Sequence, residues 1–354
     1  MAAVPASLPA PDDDSPTVDL SAFAAVVPEA VVSRLRSARR VVAVSHENPD
    51  ADTLGATLGV CMLVESFGGT AVPVCTDPIP PVYEFLPGVD RFVTDPPADG
   101  AYDLLVLSDC ATAERVGAVG VRQAELFRSL PRVVIDHHLS NDAAGEADWI
   151  DPGAAATCEM VALLAARLGV PLGSDDGALA AALMAGVVMD TATFAHPNTT
   201  PRTLLVAAAL VEAGAPLSDI SRRLYRMKPD GQLRLFGRVL DRLESSDDGR
   251  IVWSVLHADD VAASKALPAH SEGIIDLLSQ AEHAEVVVLF KEAADGTRIS
   301  VRTRPGGVDA TVLTGRFGGG GHARAAGATV AKPLEQARSA VLEVAGELVA
   351  EVRR

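Results

Sequence analysis

The stretch that decides the fold is RRVVAVSHENPDADTLGATLGVCMLVESFGG, residues 39–69, in which a strand pattern passes directly into a helix pattern. Residues 39–45 form a β-branched apolar run that predicts a buried strand. Residues 53–69 predict an apolar helix that ends at a pair of glycines. A strand followed by a helix is the unit of a parallel sheet, in which ligands bind at the carboxyl ends of the strands. We therefore expect part of a site in the polar segment between them, residues 46–52.

The same pattern recurs further along the chain. Strand-like runs at residues 103–109 and 132–138, with a glycine-closed helix pattern at 157–170, predict a doubly wound, mostly parallel α/β sheet. A helical connector, residues 201–250, then leads into a second α/β unit. The predicted elements of that unit are strands at 251–256, 284–290 and 298–304 and helices at 271–280 and 333–352. The predicted segments are a disordered tail (1–20), a first α/β domain (21–215), a helical linker (216–249) and a smaller α/β domain (250–354).

The charge of the chain excludes one class of partner. The 354 residues include 47 acids against 30 Lys and Arg, which gives a net charge of -17. Affinity for a long nucleic acid comes mostly from neutralising its phosphates with Lys and Arg. We therefore expect no binding to long nucleic acid, although a short anionic substrate held at one local site is allowed.

The cysteines and the apolar runs indicate the compartment. The four cysteines are scattered without a Cys-x-x-Cys pair, which is typical of buried thiols in a reduced compartment. The N-terminal residues lack the basic region and apolar core of a secretion signal, and the longest apolar runs are too short to span a bilayer. We expect a cytoplasmic protein that makes no membrane contact.

Acids and histidines gather where the predicted strands end. They are His46, Asp50, Asp52, Asp109, Asp136, His137 and His138, and Asp190 ends a later apolar helix. Imidazoles and carboxylates without nearby thiolates suit Mn²⁺, Fe²⁺ or Zn²⁺ in a site that is not a structural zinc site. This set contains more candidate ligands than one metal ion usually binds. Two ions about 3.5–4 Å apart would use them, and that arrangement activates water against a phosphorus centre.

A simpler interpretation exists for each of these residues taken alone. An isolated aspartate after a strand is more often a helix cap or a turn former than a ligand, and a lone histidine there is usually a satisfied polar residue. Three successive strand ends that carry acids favour the metal site. Asp190, at the end of an otherwise apolar helix, also needs a partner, because a buried unpaired carboxylate is costly.

Four motifs in order resemble the DHH phosphoesterase superfamily, which is named for the Asp-His-His sequence at residues 136–138. The motifs are HENPDADTLG, LSDCA, IDHHLSN and MDTATF. The later FGGGGHARAAGA resembles the glycine-rich motif of the DHHA1 domain, and ISVRTR resembles its Ser-x-Arg strand. The length and the DHHA1 ending are similar to the nano-RNase and pAp-phosphatase branch. The predicted first domain is accordingly a DHH catalytic domain, and the predicted last domain is a DHHA1 substrate-binding domain.

The resemblance implies a role for each motif residue. One metal ion would bind His46, Asp50 and Asp109, and a second would bind Asp52, Asp109, His137 and Asp190, so that Asp109 bridges the two ions. His138 would face the substrate phosphate, while Asp136 would orient a histidine. The implied substrate-binding residues are Asn141, Ser300, Arg302, Gly318, Gly319, Gly320, Gly321 and His322. Asn141 has a second interpretation, in which it only closes the turn.

The glycine-rich segment can also be interpreted from its composition. Residues 297–324 hold five arginines against one acid, Asp309, in a chain that is strongly acidic overall. Consecutive glycines let a backbone approach a ligand closely and present N–H groups to an anion. The alternative is a flexible hairpin loop with solvated arginines. Beside a phosphoesterase domain we expect a clamp in which this loop and Arg302 hold the far end of a mono- or dinucleotide across an interdomain cleft.

The predicted function is hydrolysis of short nucleotides. The resemblance implies two divalent ions, with Mn²⁺ the leading candidate, and water activated by both ions. It also implies cleavage of short oligoribonucleotides or dinucleotides, such as pApA or cyclic di-AMP, to 5′-mononucleotides, or conversion of pAp to AMP. A homodimer is common among similar proteins. Two alternatives stay open at this point, a pyrophosphatase or polyphosphatase that uses the same metals and a nucleotide sensor without catalysis.

Overall fold

The computed structural model describes residues 18–141 and 147–352. The chain divides into two compact units, one up to Met227 and one from Lys228. Residues 1–17 of the predicted tail lie outside the described residues. Leu20, at the end of that predicted segment, is buried in the core of the first unit.

The first unit is built on a five-stranded sheet in which every strand pair is parallel. The strands are β1 (Arg40–Val44), β2 (Thr70–Val74), β3 (Leu104–Ser108), β4 (Arg132–Asp136) and β5 (Ala147–Ile150). Their order is β2-β1-β3-β4-β5, so the direction of winding reverses between β1 and β3. The prediction of a doubly wound parallel sheet is confirmed.

Helices cover both faces of this sheet. They are α1 (Ser21–Ala24), α2 (Glu29–Ser37), α3 (Ala51–Ser66), α4 (Ala118–Arg122), α5 (Ala124–Ser129), α6 (Thr157–Leu168), α7 (Ala178–Asp190), α8 (Pro201–Glu212) and α9 (Leu217–Ser221). Short 3₁₀ turns lie at Pro81–Tyr83, Val89–Arg91 and Ala113–Val116, and a π-helical turn lies at Arg222–Arg226. The larger core lies between the sheet and α3, α6 and α7, while α4 and α5 cover a smaller core on the opposite face.

The two edge strands, β2 and β5, were not predicted from the sequence. An edge strand pairs on one side, so it can be short and tolerates residues that a central strand excludes. Pro73 interrupts the donor pattern of β2, where it lies opposite Ala43 of β1. β5 has four residues and alternates between buried and half-buried positions, a weak signal at that length.

The second unit holds a mixed six-stranded sheet in the order β10-β11-β9-β8-β7-β6. The strands are β6 (Glu244–Ser245), β7 (Ile251–Leu256), β8 (Val286–Ala293), β9 (Gly296–Thr303), β10 (Gly320–His322) and β11 (Ala325–Val330). The helices are α10 (Asp230–Asp241), α11 (Asp260–Ala263), α12 (Ile274–Leu278), α13 (Ala310–Gly315) and α14 (Leu334–Glu351), with a 3₁₀ turn at Pro268–Ser271. One face packs on α13 and α14 and the other on α10 and α12. The glycine-rich segment, which sequence analysis treated as a loop, partly forms the β10–β11 hairpin.

Two further expectations bear on the environment of the protein. Among the described residues, no single helix is both long and apolar enough to cross a membrane, and one pair of helices, Pro201–Glu212 with Leu217–Arg226, passes that test jointly but is bent by 114°. All four cysteines are buried and free, as expected of thiols that act as small apolar residues.

Candidate metal centre

The predicted ligands come from the carboxyl ends of adjacent strands and from two helices. His46 follows β1, Asp109 follows β3, and His137 and His138 follow β4. A hydroxyl fixes the first two strand ends, because Thr53 Oγ1 accepts from the His46 amide at 3.1 Å and donates to the Ser108 carbonyl at 2.9 Å. The chain therefore gathers these side chains at the point where the winding of the sheet reverses.

One group of three ligand atoms joins β1, α3 and β3. His46 Nε2 lies 3.8 Å from Asp50 Oδ2 and 3.4 Å from Asp109 Oδ2. The other ring nitrogen, Nδ1, lies 2.7 Å from the Glu47 carbonyl oxygen, which can only accept. Nδ1 therefore carries the proton, and the Nε2 lone pair is available to a cation.

A second group joins α3, β4 and α7. His137 Nε2 lies 3.2 Å from Asp190 Oδ2 and 3.9 Å from Asp52 Oδ2. It also lies 3.5 Å from Asp109 Oδ1, whereas Asp109 Oδ2 belongs to the first group. The two oxygens of one carboxylate thus face two neighbouring ligand groups. Asp109 has a φ of 63°, a strained value for a residue with a side chain.

The first residues of α6 donate hydrogen bonds to the acids, a contact that was not predicted from the sequence. The amides of Thr157 and Cys158 donate to the two oxygens of Asp52 at 2.7 and 2.9 Å. The Thr157 hydroxyl donates to Asp109 Oδ1 at 2.8 Å. The two amides belong to the first turn of α6, where N–H groups have no partner within the helix and favour negative charge. A threonine at the first position of a predicted helix was the available signal, but it does not identify which carboxylate is the partner.

Asp136 lies apart from these groups and is engaged by two side chains. Its Oδ1 atom is 2.8 Å from His138 Nδ1, and its Oδ2 atom accepts from the Asn141 amide at 2.5 Å. Asn141 also donates to the Cys110 carbonyl at 3.0 Å. Both Asp136 oxygens are thus occupied, and the carboxylate orients His138 by fixing Nδ1 as the protonated nitrogen.

The pKa values separate the acids that face one another from Asp136. Burial, reinforced by neighbouring carboxylates, raises the pKa of Asp50 and Asp190 and raises that of Asp52 well above its usual range. Burial works against protonation of His137, but Asp190, Asp52 and Asp109 outweigh it and raise its pKa to about 10. Burial also opposes ionisation of Asp136, yet its hydrogen bonds with His138 and Asn141 lower its pKa. The acids that face one another therefore stabilise a positive charge placed among them, such as the proton on His137.

The donor set fits divalent metal ions. The atoms of the group His46–Asp50–Asp109 lie within 4.8 Å of one another, as do those of Asp52–His137–Asp190. Among the described residues, the ion pairs of these four aspartates are all with histidines, and none is with Lys or Arg. Buried and half-buried carboxylates that face one another without a Lys or Arg partner form a site for an ion bound by oxygen and imidazole. These clusters could hold metal.

Four of the predicted substrate residues of the second unit, Ser300, Arg302, Gly320 and His322, lie on one face of its sheet. Gly318 and Gly319 precede β10, and Gly321 lies on the opposite face. The register aligns Arg302 with Ala325 and His322, and it aligns Ser300 with Gly327 and Gly320. Residues opposite each other in antiparallel strands share a face. Arg302, Ser300 and His322 therefore surround a floor with almost no side chains. We call the six residues of this face the shelf: Ser300, Arg302, Gly320, His322, Ala325 and Gly327.

The four consecutive glycines lie at the β10 edge of this sheet, and the local structure requires glycine at three of these positions for different reasons. Gly318 has a φ of 74° and Gly321 a φ of 142°. A Cβ at position 319 would lie 2.2 Å from the Gly327 carbonyl oxygen. A Cβ at position 320 would meet nothing within 4 Å, and its φ is not in the left-handed region. The fold therefore explains three of these glycines, but not Gly320.

Comparison with known proteins agrees with this combination of a doubly wound sheet and an acidic, histidine-containing centre. Residues 40–187 match the DHH family, N-terminal domain, and residues 253–351 match the DHHA1 domain. The chain is 34% identical, over 86% of its length and 88% of the relative, to "Bifunctional oligoribonuclease and PAP phosphatase NrnA" of Thermus thermophilus. It is 28% identical, over 80% of its length and 87% of the relative, to the Bacillus subtilis protein of the same name.

A solved structure shares the fold. It is the crystal structure of an exopolyphosphatase-related protein from Bacteroides fragilis, with a TM-score of 0.77 and 21% identity over 93% of this chain and 99% of that one. The chain belongs to the DHH family of phosphoesterases and carries a DHHA1 domain. The resemblance recognised from the four motifs is confirmed.

Proposed function

We propose that this protein is a metal-dependent phosphohydrolase that cleaves short oligoribonucleotides and dinucleotides to 5′-mononucleotides and converts pAp to AMP. The observation that carries the proposal is the pair of ligand groups that share Asp109, one oxygen facing each group. Relatives named for oligoribonuclease and PAP phosphatase activity, similar over most of the chain, support the choice of substrate.

In this proposal His46, Asp50 and Asp109 would hold one ion, and Asp52, Asp109, His137 and Asp190 would hold a second. The mixture of imidazole and carboxylate donors suits Mn²⁺, which is the ion we propose. When bound, the two ions supply an acidified water molecule and neutralise charge on the phosphoryl oxygens. The hydrogen bonds from Thr157 and Cys158 fix the positions of the Asp52 and Asp109 carboxylates.

His138 is the proposed catalytic residue outside the metal ligands. Asp136 accepts from Nδ1, which leaves Nε2 to contact a phosphoryl oxygen and to give a proton to the leaving oxygen. The Asp136 hydrogen bond, reduced by burial but reinforced by Asp109, raises the pKa of His138. A raised pKa favours the protonated form that such a donor needs. Asn141, whose amide holds Asp136, is proposed as a positioning residue.

The shelf is the proposed site for the part of the substrate away from the scissile bond. Its floor of Gly320, Gly327 and Ala325 is flat enough for a base or a sugar to approach the backbone. Arg302 and Ser300 offer donors to a phosphate, and His322 can contact a phosphate or stack on a base. An area this small suits a mono- or dinucleotide rather than a long strand.

The test is product formation by the full chain with Mn²⁺ on pApA, a short RNA, pAp, cyclic di-AMP and pyrophosphate. We expect the wild type to turn over the nucleotides. In Asp109→Ala the rate of turnover should fall by at least about a thousandfold, because both ligand groups lose an oxygen. Asp90→Ala, which removes an exposed acid outside the clusters, should show normal turnover. Hydrolysis of pyrophosphate alone would leave the metal site but remove the nucleotide assignment. Tight binding of pApA without turnover would indicate a sensor.

The proposed domain boundaries remain those predicted from the sequence, with the DHH domain at 21–215, a linker at 216–249 and the DHHA1 domain at 250–354. A homodimer, a cytoplasmic location and the absence of long nucleic acid and membrane partners also stay predictions. Sedimentation of the purified full chain with and without pApA tests the dimer directly.

A further inference from the structure

Arg302, which the proposed function assigns to substrate phosphate, already has an anionic partner within its own unit. Its Nε atom donates to Asp276 Oδ1 at 2.9 Å. The arginine side chain is 32% exposed and the aspartate side chain 61% exposed, so the pair lies at the surface of the shelf. The guanidinium is thus neutralised in the free protein at the position where a ligand anion is expected.

The position of Asp276 is set by its helix rather than by the ion pair. Asp276 belongs to α12, whose Ile274, Ile275 and Leu278 are buried against Val287 and Leu289 of the sheet. A second arginine of the same region, Arg304, donates to the Ala281 carbonyl just beyond the helix at 2.9 Å. The carboxylate therefore remains beside Arg302 whether or not the two groups are bonded.

An exposed pair of this kind is readily displaced by a stronger anion. Surface ion pairs contribute little free energy, because water screens them and both side chains lose freedom. A phosphate offers more charge and two oxygens in the spacing that a guanidinium matches, whereas a hydroxyl offers neither. A ligand that ends in phosphate can take Arg302 from Asp276, and one that ends in a hydroxyl cannot.

We propose that Asp276 is an internal competitor for Arg302 that sets the affinity of the shelf for substrates with a phosphate at the far end. This inference rests on the proposed function, because it requires Arg302 to bind substrate phosphate. Asp276 touches neither the scissile bond nor the metal ligands in this scheme, so it acts on KM and leaves kcat unchanged.

The experiment measures kcat and KM of the full chain with Mn²⁺ on pApA and on ApA, which lacks the terminal phosphate. Asp276→Asn keeps the size of the side chain and removes its charge. We expect KM for pApA to fall by up to about fivefold, the range of a surface ion pair, with kcat for both substrates and KM for ApA unchanged. Glu282→Gln is the matched control, since it removes one exposed acid whose side chain contacts His283 rather than an arginine.

The outcomes separate this inference from the proposed function. A KM for pApA that rises in Asp276→Asn would mean that Asp276 positions Arg302, and the competitor role would fall. An unchanged KM there, combined with an increased KM in Arg302→Gln, would also overturn the competitor while leaving Arg302 as a substrate residue. If Arg302→Gln changes neither KM, the proposed role of Arg302 falls first. An equal fall of KM for pApA in Glu282→Gln would mean that the loss of one negative charge near the shelf explains the effect, and the competitor role of Asp276 would fall.

Discussion

At the scale of single residues, the hydrogen bond that each candidate histidine ligand makes with one ring nitrogen decides which nitrogen faces the acids of the candidate metal centre. The second nitrogens of His46 and His137 face main-chain carbonyls, at 2.7 and 3.3 Å, which leaves both Nε2 atoms toward the acids. His138, the next residue in the chain, instead has its Nδ1 on the Asp136 carboxylate. The two adjacent histidines thus differ in their Nδ1 partners, which supports the different roles proposed for them.

Asn141→Ala tests the chain of contacts from Asn141 through Asp136 to His138. The substitution removes a donor to a buried carboxylate, and a hydrogen bond to a charged group contributes about 1.5–3 kcal/mol. We expect kcat for pApA to fall by about tenfold or more, with KM and Mn²⁺ affinity unchanged, measured by steady-state kinetics and metal titration.

Asn198→Ala is the control, because that amide donates to the main-chain carbonyls of Ala155 and Asp190. We expect it to change kcat less than Asn141→Ala does. An increase in KM with little change of kcat in Asn141→Ala would instead favour direct contact between Asn141 and the substrate.

At the scale of elements, three helices approach one another closely beside the candidate metal centre. A Cβ at Gly186 of α7 would lie 2.4 Å from Asp52 Oδ1 and 2.4 Å from Cys158 Sγ. A Cβ at Gly55 of α3 would lie 2.4 Å from the Ala182 carbonyl oxygen. Glycine normally weakens a helix interior, so its use at both contacts reflects packing. Close packing here is what lets α3, α6 and α7 meet at Asp52.

Gly186→Ala is expected to destabilise the protein by about 1–3 kcal/mol, the usual cost of overpacking a core. It should also weaken Mn²⁺ binding, because Asp52 must move. Gly237→Ala is the matched control: Gly237 lies inside α10, its Cβ position is open, and alanine there should stabilise by about 0.5–1 kcal/mol. Urea unfolding and Mn²⁺ titration check both variants. Wild-type Mn²⁺ affinity in Gly186→Ala would show that the contact with Asp52 does not matter.

The β10–β11 hairpin offers a second comparison between glycines. Gly320→Ala adds a methyl group over the shelf where the structure has open space, so the free energy of unfolding should stay within about 0.5 kcal/mol of the wild type. If the floor contacts substrate, KM for pApA should rise by about tenfold, equivalent to about 1.4 kcal/mol, without a change in kcat.

Gly321→Ala should behave differently. Its Cβ would lie 2.6 Å from the Ala325 carbonyl oxygen at a φ of 142°, so folding itself should suffer. Equal KM values for Gly320→Ala and the wild type would mean that the flat floor has no role in binding.

At the scale of the whole molecule, a chain with a net charge of -17 also contains a buried acid, Asp260, that local pairing keeps ionised. In the second unit, Asp260 is buried and accepts from Arg242 Nη2 at 2.9 Å and from the His257 amide at 2.9 Å. Burial opposes ionisation of this carboxyl group, but Arg242 and the His257 amide outweigh it and lower its pKa. The pair joins α10 to α11.

Asp260→Asn should therefore change the pH dependence of stability. A pKa that is lower in the folded state gives a stabilisation that is present above the unfolded pKa of about 3.9 and is lost as the pH falls through the folded value. We expect the variant to be less stable by about 2 kcal/mol at neutral pH, since it loses hydrogen bonds to a charged group. The difference should shrink as the pH falls below about 4.

Urea unfolding of the full chain at a series of pH values measures this effect. Asp259→Asn, the exposed neighbour with the same change of charge, should show little difference from the wild type at any pH. A loss of stability in Asp260→Asn that does not vary with pH would mean that packing rather than charge explains it.

The sequence by itself determined the class of sheet, its central strands and the residues that end them. Those features are local, because a β-branched run, a glycine-closed apolar period and a polar strand end each lie within a short window. The parallel βαβ pattern also determines that such strand ends meet, since parallel strands present their carboxyl ends at one edge. His46, Asp109 and His137 could therefore be expected from the sequence alone to lie close together.

Only the tertiary structure decided which partners these residues have. The Thr157 amide reaches Asp52 across 105 positions of sequence, and Arg302 reaches Asp276 across 26. Such contacts depend on the order of the strands and on how closely the helices pack, and neither property has a signature in a short window. The edge strands, the two oxygens of Asp109 facing two ligand groups, and the distinct reasons for the four consecutive glycines are all consequences of that packing.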